Sequence, residues 1–296
     1  MSPPVVPEVP EVPEVLSERL DGLTAQVHET DQMVRDEHPD GVHDLRVAMR
    51  RTRSLLTTFK RELGPDRCAP LKDELRWAGG ELGPVRDLEV VHERIGAVLG
   101  DQRVELVLGG VQARVDDHLR RRRPEVTARV EALLDSERWR RLLADLDRFG
   151  REPPTGTEVD ARRRLSKDWR RLRRRARQAA QAVDERAHET ALHEVRKAAK
   201  RARYAAETLG PLFGEDAARM EAAAEAVQQS LGDHRDTLLT RRVLRELGVQ
   251  AHLDGDNGFT FGRLHALEEA AASAALGAYE EAHALVERPR LRRWLR

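Results

Sequence analysis

The stretch His43-Asp44-Leu45-Arg46-Val47-Ala48-Met49-Arg50-Arg51-Thr52-Arg53 returns 150 positions later as His193-Glu194-Val195-Arg196-Lys197-Ala198-Ala199-Lys200-Arg201-Ala202-Arg203. Both copies run histidine, acid, aliphatic, arginine, then paired cations and a further arginine. A second stretch, Leu82-Gly83-Pro84-Val85-Arg86-Asp87, comes back 149 positions on as Leu231-Gly232-Asp233-His234-Arg235-Asp236, and Arg140-Arg141-Leu142-Leu143 has a weaker echo in Arg292-Arg293-Trp294-Leu295. One deletion keeps the first two in register. The chain therefore reads as a duplicated unit whose halves share one fold from end to end.

Inside the repeated stretch Leu45, Met49, Thr52, Leu56 and Phe59 recur at helical spacing, as do Leu165, Trp169, Leu172 and Ala176 further on. The chain is rich in Leu, Ala, Arg and Glu, holds 4% aromatics and has almost no β-branched runs, so the expected fold class is all-α. Breaks are expected at His38 to Gly41, Gly64 to Asp66, Gly100-Asp101, Pro124, Gly150 to Gly156, Gly210-Pro211, Phe213-Gly214, Asp254 to Gly258, and Pro289. Residues 1–14 are a Val-Pro-Glu repeat and read as an extended, disordered tail. The Pro- and Gly-rich segment at about 151–158 reads as a linker, with repeat one over about 15–150 and repeat two over about 159–296.

At 296 residues the chain can bury a sizeable core without staples. Cys68 is the only cysteine, which excludes an intrachain disulfide and suits a reducing compartment. The N-terminus lacks a basic start and apolar stretch, and no run of about 18 apolar residues occurs. A soluble, cytoplasmic protein with no membrane partner is expected. Charged residues make up 35% of the chain and cancel to a formal net charge of zero, which alone argues for no anionic partner. Their distribution argues otherwise: only Lys60, Lys72, Lys167, Lys197 and Lys200 are lysines, and the arginines are clustered. A GC-rich genome gives the same bias as selection for phosphate contacts.

At about 100° per residue, His43, Arg46, Arg50 and Arg53 share one helical stripe turned away from the Leu45, Met49, Leu56 seam. His193, Arg196, Lys200 and Arg203 form the equivalent stripe, each about 15 Å long. From Arg162 to Arg177 ten basic residues meet only Asp168, and Arg163, Lys167, Arg170, Arg174 and Arg177 lie opposite their seam. Like charge left unpaired destabilises a fold, so an external polyanion is the expected partner. The plainer reading of such a stripe is a solvated face paired with acids, and of either histidine a residue packing at a helix start.

The pattern H-x-[LV]-R-x-x-x-[RK]-R-x-R, duplicated, with L-G-x-x-R-D downstream, resembles the CHAD family, the conserved histidine α-helical domain, over roughly residues 15–296. The resemblance implies two tandem four-helix units related by pseudo-two-fold symmetry. It also implies non-catalytic binding of inorganic polyphosphate, at polyphosphate granules. Carried over position by position, the binding set is His43, Arg46, Arg50, Arg51, Arg53 and Arg86, then His193, Arg196, Lys197, Lys200, Arg201, Arg203 and Arg235. The α-helical row Arg163, Lys167, Arg170 and Arg174 joins it from the charge pattern. Many chains of the family also carry a triphosphate-tunnel domain marked by E-x-E-x-K, a motif this sequence lacks. The first repeat also opens with a helix that holds only Arg19 as a cation between Ser17 and Val34.

No enzyme activity, cofactor or metal is expected. There is no G-x-x-x-x-G-K-[ST] loop. His188 and His193 are spaced i, i+5, which turns their imidazoles about 140° apart on a helix and spoils shared coordination of a metal. His43-Asp44-Leu45-Arg46 resembles the phospho-accepting box of sensor kinases, the basis of a phosphohistidine-transfer alternative, but Ala48 and Ala198 stand where that box has proline. His43-Asp44 is only a fragment of a metal phosphohydrolase ligand set. Nucleic acid is the rival among binding functions, since arginine rows contact any phosphate backbone, although base stacking would call for exposed aromatics. Protonation of His43 and His193 is expected to couple to anion binding.

Overall fold

The structure, a computed structural model, describes residues 10–295. Among them are ten α-helices and no strand: α1 Val12–Arg35, α2 Gly41–Thr58, α3 Pro65–Glu81, α4 Gly83–Gly100, α5 Val111–Asp135, α6 Glu137–Phe149, α7 Glu158–Ala180, α8 Glu185–Thr208, α9 Gly210–Leu253 and α10 Phe259–Glu287. The all-α expectation holds. One expected break differs. Pro124 lies inside α5, where the flanking arginines are exposed and water can take over the carbonyl that loses its partner. At the expected break Phe213-Gly214 the helical path of α9 is interrupted by a kink at Gly214, with φ 47° and ψ −127°, a backbone region open to glycine.

The tail expected over residues 1–14 ends earlier, because α1 starts at Val12 and buries Val12 and Val15. Pro13 suits the first turn, and the Glu11 N–H donates to Glu14 Oε2 at 3.0 Å. Residues 1–9 of that expected tail lie outside the described residues.

The helices gather into two compact units whose boundaries do not follow the repeats. Within the described residues the first comprises 10–76, 140–228 and 282–295, and the second 77–139 and 229–281. Each unit thus takes helices from both repeats.

In the first unit α1 packs on α2, α7 on α8, and both α1 and α2 on α8. Leu16, Leu20, Leu23, Leu45, Met49, Leu56, Leu165, Trp169 and Leu172 are buried there, each contributing about 1.5–3 kcal/mol. The buried face of α8 is built from Val195 and from Ala198, Ala199, Ala202, Ala205 and Ala206, and such small side chains shorten the distance between helix axes. Glycine is required where α1 turns into α2. A Cβ at Gly41 would lie 2.9 Å from the Met33 carbonyl carbon and from the Val34 nitrogen. Thr157 caps α7 by accepting from the Asp160 N–H at 3.3 Å, and Asp184 caps α8 by accepting from the Ala187 N–H at 2.7 Å. The 151–158 segment is held down: Pro154 is buried and the Thr155 N–H donates to the Glu62 carbonyl at 2.9 Å.

The second unit closes around Val91 and Ile95 of α4, Val111 and Val115 of α5, Val243, Leu244 and Leu247 of α9, and Phe261 and Leu264 of α10. Arg94 and the buried Glu268 pair at 2.5 Å across it.

Candidate functional site

The two helices that carry the repeated motif, α2 and α8, pack on one another in the first unit, with contacts between their second halves. Arg50 Nε donates to the Tyr204 hydroxyl at 3.1 Å, and Arg201 Nη2 donates to the Thr57 carbonyl at 3.4 Å. Arg51 lies 3.6 Å from Glu207. Positions 51 and 201 are equivalent in the duplication, as are 57 and 207, so these two contacts are reciprocal.

Close approach of so many cations needs acids, and apart from Glu194 the structure supplies them from outside the motifs. Asp168 of α7 is buried; it forms an ion pair with Arg201 at 2.7 Å and accepts from the Thr58 hydroxyl at 3.0 Å, joining three helices. Glu207 pairs with Arg19 at 2.5 Å as well as with Arg51, and Glu225 pairs with Arg203 at 2.9 Å. Glu194 accepts from Lys197 at 2.7 Å and lies 3.8 Å from Arg175. The Lys197 hydrogen bond holds the Glu194 carboxyl below the usual carboxylate range. Arg51, Lys197, Arg201 and Arg203, all expected in the binding set, are therefore matched by carboxylates of the same unit.

Arg50 and Arg53, one turn apart on α2, are different. Neither forms an ion pair among the described residues, and both are half-buried. Burial pushes the Arg53 guanidinium below its ordinary range, and the like charges of Arg76 and Arg50 push it the same way. His43 and Arg46 continue this stripe, half-buried, toward the start of α2. On α8, Arg196 and Lys200 are half-buried and His193 is exposed.

The expectation that the cations of α7 stay unpaired is corrected for half of them. Arg162 pairs with Glu158 at 2.6 Å, Arg163 with Asp160 at 4.0 Å, Arg164 with Glu62 at 2.8 Å and Arg175 with Glu194. Arg173 pairs with Glu287. These acids sit in the preceding turn or far along the chain, which is why counting within 162–177 missed them. Lys167, Arg170, Arg174 and Arg177 remain an exposed row opposite the Leu165/Trp169/Leu172 seam, with no ion pair among the described residues; Arg170 Nε reaches only the Ser166 carbonyl, at 3.3 Å.

Arg86 and Arg235 lie in the second unit. Arg86 is clamped by Glu89 at 3.2 Å and Glu93 at 3.1 Å, and Arg235 lies 3.9 Å from Asp87, so the second motif of one repeat meets that of the other. Both arginines of that motif thus have an acid beside them.

Among the described residues no group of three or more His, Cys, Asp or Glu side chains could hold a metal ion. His188 donates from Nδ1 to the Ala179 carbonyl at 3.1 Å, which ties the end of α7 to α8. Burial pushes the Cys68 thiol up to about 11, far from a reactive thiolate. No helix of the described residues is long and apolar enough to cross a membrane. Sequence reasoning did not assign Tyr204, Arg76, Glu207 or Glu225 to the site, and it met Asp168 and Glu194 without the partners that the structure gives them. Glu194 lies inside the repeated motif, and Tyr204 follows it directly after Arg203.

The CHAD domain family matches residues 16–245. Two proteins of Mycobacterium tuberculosis, MT2285 of strain CDC 1551 and Rv2226 of strain H37Rv, are each 36% identical over 243 residues. That match covers 80% of this chain and 46% of each of theirs, so the chain spans about half the length of these relatives. The crystal structure of the CHAD domain from the plant Ricinus communis superposes with a TM-score of 0.69 at 26% identity, covering 92% of this chain and 91% of that one. PptA from Streptomyces chartreusis gives a TM-score of 0.72 over 92% of this chain and 99% of its own, a likeness of fold at 20% identity.

Proposed function

Because this chain belongs to the CHAD family, we propose that it binds inorganic polyphosphate, without catalysis, through the cationic face of its first unit. The carrying observation is the crowding of Arg50 and Arg53: both are half-buried and without a carboxylate, and burial, then the charges of Arg76 and Arg50, push the Arg53 guanidinium below its ordinary range. A polyanion laid along α2 would relieve that repulsion, and guanidinium groups suit phosphate oxygens. His43 and Arg46 extend the contact on α2, and His193, Arg196 and Lys200 extend it on α8. The exposed row Lys167, Arg170 and Arg174 adds long-range attraction. The same reading places the protein in the cytoplasm at polyphosphate granules, with no cofactor.

The test is competition for labelled long-chain polyphosphate at fixed ionic strength. Unlabelled polyphosphate displaces the label, and duplex DNA or single-stranded RNA at equal phosphate concentration does so far less well. Equal displacement by nucleic acid would replace this reading with general phosphate-backbone binding. Release of orthophosphate in the presence of Mg²⁺ or Mn²⁺, abolished by His43→Ala or His193→Ala, would make the protein an enzyme.

A further inference from the structure

We infer that Tyr204 is the positioning residue of this site, holding Arg50 in place for the anion without neutralising it; the inference rests on the polyphosphate reading above. Tyr204 is 4% exposed and stands at the meeting of α8 with α2. Its hydroxyl accepts from Arg50 Nε at 3.1 Å. Its ring lies 5.9 Å from the Arg51 guanidinium carbon and 5.7 Å from that of Arg203, within reach of cation–π attraction.

The three arginines are not held in the same way. Arg51 and Arg203 also face Glu207 and Glu225, which cancel their charge. Arg50 is held by a phenol, a neutral acceptor. A carboxylate in its place would form a charge-assisted pair that a phosphate would have to displace. The phenol fixes the direction of the guanidinium and leaves its full charge, which is the charge that reaches Arg53. A buried ring with two torsions is also a rigid anchor, so less side-chain freedom is lost when an anion binds. The anchor crosses the duplication, because Arg50 comes from the first repeat and Tyr204 from the second. Ser54 occupies the equivalent position in the first repeat and is too short to serve its own counterpart in this way.

The variants are Tyr204→Phe, Arg50→Ala and the two combined, each titrated with long-chain polyphosphate at fixed ionic strength. Tyr204→Phe keeps the ring and its packing and removes only the acceptor. Releasing one arginine side chain corresponds to binding about 2- to 12-fold weaker. In the Arg50→Ala background the same substitution has no further effect, because nothing remains to position. A slowly exchanging Arg50 Nε–H, visible by ¹⁵N NMR in the wild type and absent in Tyr204→Phe, reads the anchor without any ligand. Unchanged affinity of Tyr204→Phe, or an equal loss with and without Arg50, overturns the positioning role while the polyphosphate reading stands. Failure of the wild type to bind polyphosphate overturns both.

Discussion

Removing the Asp168 carboxylate tests whether Arg201 serves the fold or the ligand. Asp168→Ala strands two groups: Arg201, whose side chain is 21% exposed and which keeps only the Thr57 carbonyl at 3.4 Å, and the buried hydroxyl of Thr58. Breaking a buried ion pair from one side costs about 3–5 kcal/mol, and leaving a buried hydroxyl without its acceptor about 1–3 kcal/mol. The two costs overlap because one carboxylate serves both partners, and Arg201 keeps some contact with water, so the expected loss is about 3 kcal/mol. Urea unfolding followed by circular dichroism at constant slope measures it. Replacing both partners by leucine, Asp168→Leu with Arg201→Leu, recovers most of that loss, since the penalty lies in the stranded charge. A loss below about 1 kcal/mol for Asp168→Ala would refute the assignment. So would a gain in polyphosphate affinity, which would mean that Arg201 had been freed to act as a ligand.

Gly41→Ala forces a Cβ to within 2.9 Å of the α1 backbone, so it is expected to cost about 1–3 kcal/mol and to lower the melting temperature by several degrees; an unchanged melt would show that the α1–α2 turn relaxes freely. Burial, and after it the charge of Arg122, pushes the His118 imidazole below its ordinary 6.5, with Glu246 opposing. A depressed folded value means that the unfolded chain binds the proton more readily, so this contribution to stability is full above about pH 6.5 and is lost as pH falls toward the folded value. Urea midpoints between pH 7.5 and 5 check the trend, and His118→Gln should flatten it. Polyphosphate affinity should rise as pH falls from about 8 to about 6, because a bound polyanion favours protonated imidazole. Equal slopes for wild type and His43→Ala/His193→Ala would make these histidines structural.

The helices were legible because their signals are local. Seams such as Leu165/Trp169/Leu172 and breaks such as Pro39-Asp40-Gly41 lie within a few residues of one another, and the structure buries or turns at those places. The duplication was legible for the same reason. Pairing was not. Whether Arg164 is matched depends on Glu62, and whether Arg173 is matched depends on Glu287, more than a hundred positions away in each case. A helical wheel shows which way a cation points and says nothing of the acid that another helix brings to it. That is why the cationic stripe on α8 read as a uniform row, although Arg203 is spoken for by Glu225 and the neighbouring Arg201 by Asp168.

The interleaving of the repeats has a consequence for how the chain can be divided. Repeat one supplies α1 and α2 to a unit that repeat two completes with α7 and α8, and supplies α4 and α5 to another that needs α9 and α10. Cleavage in the 151–158 segment, which at first sight separates two domains, would instead leave two pieces that each carry half of each hydrophobic core. Such pieces would be poorly folded alone and competent to reassociate, as complementing fragments are. A single ancestral repeat would have met the same constraint, and two identical copies exchanging helices would have satisfied it. Fusion into one chain would turn that intermolecular partnership into an intramolecular one, and it would let position 204 carry tyrosine while its counterpart at 54 carries serine.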